Sequence, residues 1–138
     1  MQITSDVRFA IRDSQAKNGL VTIFIPGPGA ALTVFEPLDE VKEELKVSLE
    51  ALAEGEKKGK DKRKEEVDIA PRVLASLVGR SVAIPFKDAK LVMAPYEEIF
   101  LIDFEKEAAR REFFVQVIGE DAAPQGQPPP KGAPPKKK

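Results

Sequence analysis

The chain has 138 residues, a length that suits one domain, and 42% of them are hydrophobic, which is enough for a packed core. It contains no cysteine and no histidine. This composition excludes a disulfide framework, thiolate metal sites and any chemistry that depends on an imidazole.

Charge is unevenly divided along the chain. The net charge is −1, and the segment 121–138 holds four lysines and one aspartate, so it carries +3 and leaves −4 for residues 1–120. A body of that sign is a poor partner for a polyanion, so we predict no nucleic-acid binding. The apolar stretches are far shorter than the ~20 residues of a membrane span, and no signal-peptide pattern is present. We expect a soluble cytoplasmic protein with no membrane partner.

The first third of the chain predicts a helix and two strands. Ser5 or Asp6 can cap a helix, and Asn18-Gly19 predicts its end because both residues tolerate left-handed geometry. The β-branched run 20–25 predicts an interior strand, broken by the proline–glycine segment 26–29, and residues 31–35 predict a second strand.

A long amphipathic helix is predicted next. Pro37 suits its first turn, and Gly55 predicts its end. One apolar stripe recurs at three- and four-residue steps: Leu38, Val41, Leu45, Leu49 and Leu52.

The segment 54–66 holds five acids, six bases and no apolar side chain. It predicts a solvated surface loop. An electrostatic contact site is the alternative, and the near cancellation of the two signs favours the loop.

The second half predicts a short helix and four strands. The helix spans 69–78, with Pro71 in its first turn and Gly79 as its stop. Strands are expected at 81–85, 91–93, 99–104 and 113–118, with a turn at Asp88-Ala89. We therefore predict an α/β domain at 1–120, built on a single mixed sheet with helices on one face. Because some strands are apolar on both sides, we expect a second subunit to cover the sheet.

The segment 121–138 is rich in proline and lysine and has almost no side chain that can pack. It predicts a disordered, partly polyproline II tail. A solubilising role is the simpler interpretation, and a ligand for proline-recognition modules is the alternative.

Three stretches, GLVTIFIPGPGAALTVFE at 19–36, SLVGRSVAIPFKDAKLVMAPYEEIFLIDFE at 76–105 and FFVQVIGE at 113–120, follow one another with a characteristic spacing. Together they resemble the YjbQ-like family, described as secondary thiamine-phosphate synthases, over about residues 3–120. The resemblance implies a YjbQ-like fold and a homotrimer with pockets between subunits.

The polar positions of the family motifs differ in this chain. The first motif, P-H-T-T-A-A-L-T-I-N-E, has Gly27 at its histidine and Pro28 and Gly29 at its threonines, while Glu36 retains the acid. The histidines of D-N-A-H-A-H-L-K-A-S-L-L-G fall on Ala70 and Arg72. Asp68 stands at the asparagine of that motif, and Ala94-Pro95-Tyr96-Glu97 replaces the third motif, G-T-W-Q.

These replacements predict no catalytic residues, no metal and no cofactor. Glycine, alanine and arginine can neither ligate a transition metal nor exchange a proton near neutral pH. The former-pocket positions are Gly27, Pro28, Gly29, Glu36, Asp68, Ala70, Arg72, Tyr96 and Glu97.

Each candidate has a simpler interpretation. The segment 26–29 permits close approach to an anion but is more simply a stiff turn. Glu36, Asp68 and Glu97 are an acid–base cluster, or else a helix N-terminal residue followed by two surface acids. Tyr96 lines a pocket or only packs. Arg72 neutralises an acid or binds a phosphate.

Three functions are open at this point. The first is a non-catalytic structural or interaction protein that retains the fold and a trimeric assembly. The second is a remodelled pocket that binds or acts on a small phosphorylated or anionic metabolite near Arg72. The third is an adaptor that acts through the tail.

Overall fold

A computed structural model describes residues 1–53, 58–105 and 111–121. Three helices are described, α1 (Thr4–Ser14), α2 (Asp39–Leu52) and α3 (Ile69–Val78). The described strands are β1 (Ala16–Phe24), β2 (Ala30–Phe35), β3 (Lys58–Lys60), β4 (Glu66–Asp68), β5 (Ser81–Lys87), β6 (Lys90–Leu91), β7 (Glu98–Asp103) and β8 (Phe114–Asp121).

The strands form three antiparallel sheets, so the predicted single mixed sheet is wrong. The largest has the order β6-β5-β1-β8, while β2 pairs with β7 and β3 pairs with β4 in two-stranded ribbons. Burial alternates along β1, since Val21 and Ile23 are buried whereas Leu20 and Phe24 are exposed. One face of the sheet therefore meets the core and the other meets solvent in the single chain.

The core lies between the inner face of this sheet, α1 and the β2–β7 ribbon. Val7 and Ile11 of α1, Leu32 of β2 and Ile99 and Leu101 of β7 are all buried in it. Since two sheets contribute to it, the architecture is α+β with a layered core rather than helices on one side of one sheet.

Residues 1–4 tie the start of α1 to β7. Backbone hydrogen bonds join the Ile3 amide to the Ile99 carbonyl and the Leu101 amide to the Met1 carbonyl, each at 2.8 Å. The buried Thr4 hydroxyl accepts a hydrogen bond from the Ile99 amide, also at 2.8 Å. Ser5 and Asp6, the predicted caps, make no capping hydrogen bond at the start of α1. The pairing of residues 1–4 with β7 therefore determines where the helix begins.

The first helix ends earlier than predicted. Gln15 takes the left-handed conformation, with φ 64°, and the chain enters β1 at once, so that Asn18 and Gly19 belong to a strand. Gly19 faces Gly119 in the pairing of β1 with β8, and a Cβ on Gly19 would collide with the Ile118 carbonyl. The glycine therefore allows two backbones to approach and does not terminate a helix.

The remaining elements follow the predictions more closely. Helix α3 has the predicted bounds, and Asp88 and Ala89 form the predicted turn with φ values of 51° and 63°. The long helix begins at Asp39, so Pro37 lies before its first turn, and Gly55 lies outside the described residues.

The predicted charged loop is wrong in part. Its residues 58–60 pair with 66–68 as a short ribbon, although many of its side chains are solvent-exposed as predicted. The rest of it at 54–57, and the tail beyond Asp121, lie outside the described residues. No helix in the described ranges is long and apolar enough to cross a membrane.

The contact between Gly19 and Gly119 generates a stability prediction. Gly19→Ala should lower the free energy of unfolding by about 3 kcal/mol, because the added methyl must push two strands apart. Urea unfolding measures the change. Gly79→Ala is the control, since no atom lies within 4 Å of its added Cβ and only its φ of 107° opposes the substitution. An unchanged free energy of unfolding for Gly19→Ala would contradict the close approach.

Candidate functional site

The loop after β1 carries the first group of predicted site residues. Gly27 has a φ of 124°, and the Arg111 Nη1 atom lies 3.3 Å from the position that a Cβ would occupy. Gly29 is covered by the Glu105 carboxylate, and its carbonyl accepts a hydrogen bond from the Phe104 amide at 2.8 Å. The loop is therefore packed against the chain that follows β7, which supports its interpretation as a stiff turn.

An ion pair that the sequence did not reveal lies beside this loop. The Arg111 guanidinium donates from Nε to Asp103 Oδ2 at 2.9 Å and from Nη2 to Asp103 Oδ1 at 2.8 Å. Both side chains are mostly shielded from solvent. The hydrogen bonds from Arg111 hold the pKa of Asp103 below its usual value. Asp103 is the last residue of β7 and Arg111 lies outside the strands, shortly before β8, so no motif within a single element could have paired them.

Asp68 and Ala70 lie at the start of α3. Asp68 occupies the N-cap position but makes no capping bond, and its carboxylate instead accepts a hydrogen bond from Lys58 Nζ at 2.5 Å. The same bond raises the pKa of Lys58. Lys58, rather than Arg72, is therefore the cation that neutralises Asp68.

Arg72 and Glu36 are not joined to each other. Arg72 is half-buried, and within the described residues it makes no ion pair with any carboxylate. Glu36 is exposed and lies before Leu38, the N-cap of α2, so it is not in the first turn of that helix. The expected stabilisation of Glu36 by the helix dipole is therefore weak, because that effect falls off within the first turn.

Tyr96 and Glu97 lie in the turn before β7. Tyr96 has a φ of 68°, and its side chain is 79% exposed, so it does not pack within this chain. Glu97 accepts a hydrogen bond from the Ala94 amide at 2.8 Å and thereby closes its own turn. Across residues 1–53, 58–105 and 111–121, no three acidic side chains gather in a way that could hold a metal ion.

A groove of about 810 Å³ lies between α2 and the outer face of the β2–β7 ribbon. Phe35 and Phe100 form its aromatic floor and stack with ring centroids 4.4 Å apart and planes inclined by 18°. Asp68, Ala70 and Asp103 line it as well. The groove thus includes two of the predicted positions, whereas Gly27, Glu36, Arg72, Tyr96 and Glu97 are not among its lining residues.

Two sequence signals could have indicated the groove, although neither was interpreted in that way. One was the apolar stripe of α2, and the other was the two-sided apolar character of β7. In the structure Ile99 and Leu101 face the core, while Phe100 and Ile102 face the groove. None of the residues of α2 is buried. The helix therefore does not pack closely on the β2–β7 ribbon, and the groove remains between them.

These features define a class of α+β domains with antiparallel sheets around one core. Several solved structures share the fold. A YjbQ/UPF0047 family protein of Clostridium acetobutylicum has a TM-score of 0.74 at 24% identity and covers 86% of this chain and 89% of its own. A YjbQ-like protein of Sulfolobus solfataricus has a TM-score of 0.75 at 22% identity, with coverages of 87% and 86%.

The chain belongs to the YjbQ family. The family model described as UPF0047 protein YjbQ-like matches residues 1–120. A UPF0047 protein of Methanocaldococcus jannaschii is 31% identical over 121 residues, which are 87% of this chain and 85% of that protein. The resemblance inferred from the three motifs is thereby confirmed at the level of the family.

The pair formed by Asp103 and Arg111 predicts an acid-sensitive contribution to stability. Because folding lowers the pKa of Asp103, its stabilisation is complete above the ordinary carboxyl pKa of about 4 and is lost as the pH falls through the lower folded value. Asp103→Asn should cost about 1 kcal/mol at pH 7 and much less near pH 2.

Chemical denaturation between pH 2 and pH 7 measures this difference. Asp13→Asn is the matched control, because Asp13 is exposed and forms no ion pair among the described residues. A destabilisation by Asp103→Asn that is independent of pH would show that the ion pair does not stabilise the fold.

Proposed function

We propose that this chain is a non-catalytic YjbQ protein, which retains the family fold and a homotrimeric assembly and acts through binding or structure. The observation that carries the proposal is the absence of histidine and cysteine from the whole sequence. At the positions aligned with the family histidines stand Gly27, Ala70 and Arg72. None of these side chains can bind a transition metal as a soft donor or transfer a proton near neutral pH.

The remaining acids do not fit a metal site. Asp68 is engaged by Lys58 and Glu97 by its own turn, while Glu36 is exposed. A hard cation bound through oxygen needs about six ligands, several of which would have to converge. The geometry therefore supports neither a transition-metal centre nor a calcium-like site built from these three residues.

Self-association is supported by the outer face of the large sheet. Four apolar side chains lie there on adjacent strands, Leu20, Phe24, Phe114 and Ile118, with exposures of 41%, 42%, 62% and 60%. The register places Leu20 opposite Ile118 and Phe24 opposite Phe114, so they form two apolar pairs on one face, with the polar pair Thr22 and Gln116 between them. Exposed apolar side chains gathered on one sheet face among polar neighbours are typical of subunit interfaces, and we propose that a second copy covers this patch.

A second candidate function is a remodelled pocket for a small anionic or phosphorylated molecule near Arg72. It is supported by the half-buried guanidinium, which has no carboxylate partner within the described part of the chain. Arginine suits phosphate because its planar donors match the oxygens.

Thiamine-phosphate formation tests the non-catalytic proposal. The purified full chain and a family member that carries the three histidines should be assayed together under identical conditions. We expect product only from the histidine-bearing protein. Turnover by this chain at a comparable rate would refute the non-catalytic proposal and favour the remodelled pocket.

The assembly is tested by placing a charge on the outer sheet face. We expect the wild type to sediment as a trimer and Ile118→Lys to sediment as a monomer, because a buried unpaired ammonium is strongly unfavourable in an interface. Val92→Lys is the control, since Val92 is 57% exposed, close to the 60% of Ile118, and lies outside the patch. A trimeric Ile118→Lys protein would exclude this face as the interface.

A further inference from the structure

We infer that the groove beneath α2 binds an elongated amphipathic anion, namely a long-chain carboxylate with its apolar chain on the aromatic floor. This inference goes beyond the non-catalytic proposal, because it names a ligand. The two are compatible, since binding a carboxylate requires no catalytic residue. The volume of about 810 Å³ lies within the ~300–1,000 Å³ that is common for small-molecule sites.

The floor and walls of the groove are suited to a hydrocarbon chain. The stacked rings of Phe35 and Phe100 form the base, Leu45 and Leu49 of α2 line it from the helix, and Leu74 of α3 lines it as well. An alkyl chain placed there would be removed from water on several sides, and each methylene that is buried in this way favours binding.

The charges that line the groove favour a negative headgroup. Lys42 and Lys46 lie one helical turn apart on α2, and neither forms an ion pair with any described residue. Asp68 and Asp103 also line the groove, but Lys58 and Arg111 neutralise them. Among the described lining residues, these two lysines are therefore the cations without a carboxylate partner, and Glu50 is the acid without a cation partner.

The position of the lysines sets the direction of the ligand. Lys42 lies near the N-terminus of α2, where the helix dipole is positive, and Glu50 lies two turns further along the same wall. The carboxylate should therefore lie near Lys42 and Lys46, and the chain should extend past Leu49 towards Ala53.

The same charges disfavour the C-terminal segment as an occupant. Residues 122–138 contain four lysines and no acid. Such a segment would bring further positive charge to Lys42 and Lys46, and like charges in contact are unfavourable.

Isothermal titration calorimetry of the full chain with decanoate, below its micelle concentration, tests the inference. We expect saturable binding that weakens about tenfold in the double variant Lys42→Gln/Lys46→Gln, because two charge-assisted contacts to the carboxylate are lost. Lys87→Gln/Lys90→Gln is the matched control, since both lysines are exposed at the β5–β6 hairpin, and it should bind as the wild type does.

The apolar half of the site is tested separately. Ala53→Phe should abolish decanoate binding by filling the end of the groove, whereas Ala51→Phe, at an exposed position outside the groove, should not. Circular dichroism should show that both variants are folded.

Three outcomes would overturn the inference: no saturable binding by the wild type, equal affinity in Lys42→Gln/Lys46→Gln, or equal affinity for decan-1-ol, which lacks the charge. None of them bears on thiamine-phosphate formation, so the two proposals can fail independently.

Discussion

Strand β1 is the constraint on which the rest of the structure depends. It is hydrogen-bonded to β5 on one side and to β8 on the other, and its inward residues Val21 and Ile23 are completely buried. The contact of Gly19 with Gly119 allows β8 to lie against it. Because β1 is hydrogen-bonded on both edges, the position of the loop that follows it is fixed, and Gly27 in that loop lies beside Arg111.

The β2–β7 ribbon converts that core into a potential site. Its inner residues complete the core, and residues 1–3 extend it by pairing with β7. Its outer residues, led by Phe35 and Phe100, are apolar as well and lie under α2 without close packing. The ribbon thus supports the fold with one face and lines the groove with the other.

The elements that the sequence predicted well are those whose signals are local. Helix α3, with Pro71 in its first turn and Gly79 at its end, and the turn at Asp88-Ala89 follow from backbone preferences of a few adjacent residues. The end of α1 was predicted wrongly, because Asn18-Gly19 has the same local appearance as a helix stop. A glycine is needed at position 19 because the backbone of Ile118 and Gly119, more than ninety residues away in sequence, lies against it.

The sequence by itself determined the family and the absence of any imidazole or thiol, since both depend only on which residues are present. Only the tertiary structure decided which charges meet. It paired Asp68 with Lys58 and Asp103 with Arg111, separated Glu36 from Arg72, and left Lys42 and Lys46 over an aromatic floor. Strand pairing and helix placement bring distant residues together, and the energy of a charge depends on its neighbours and its burial, which one-dimensional spacing does not contain.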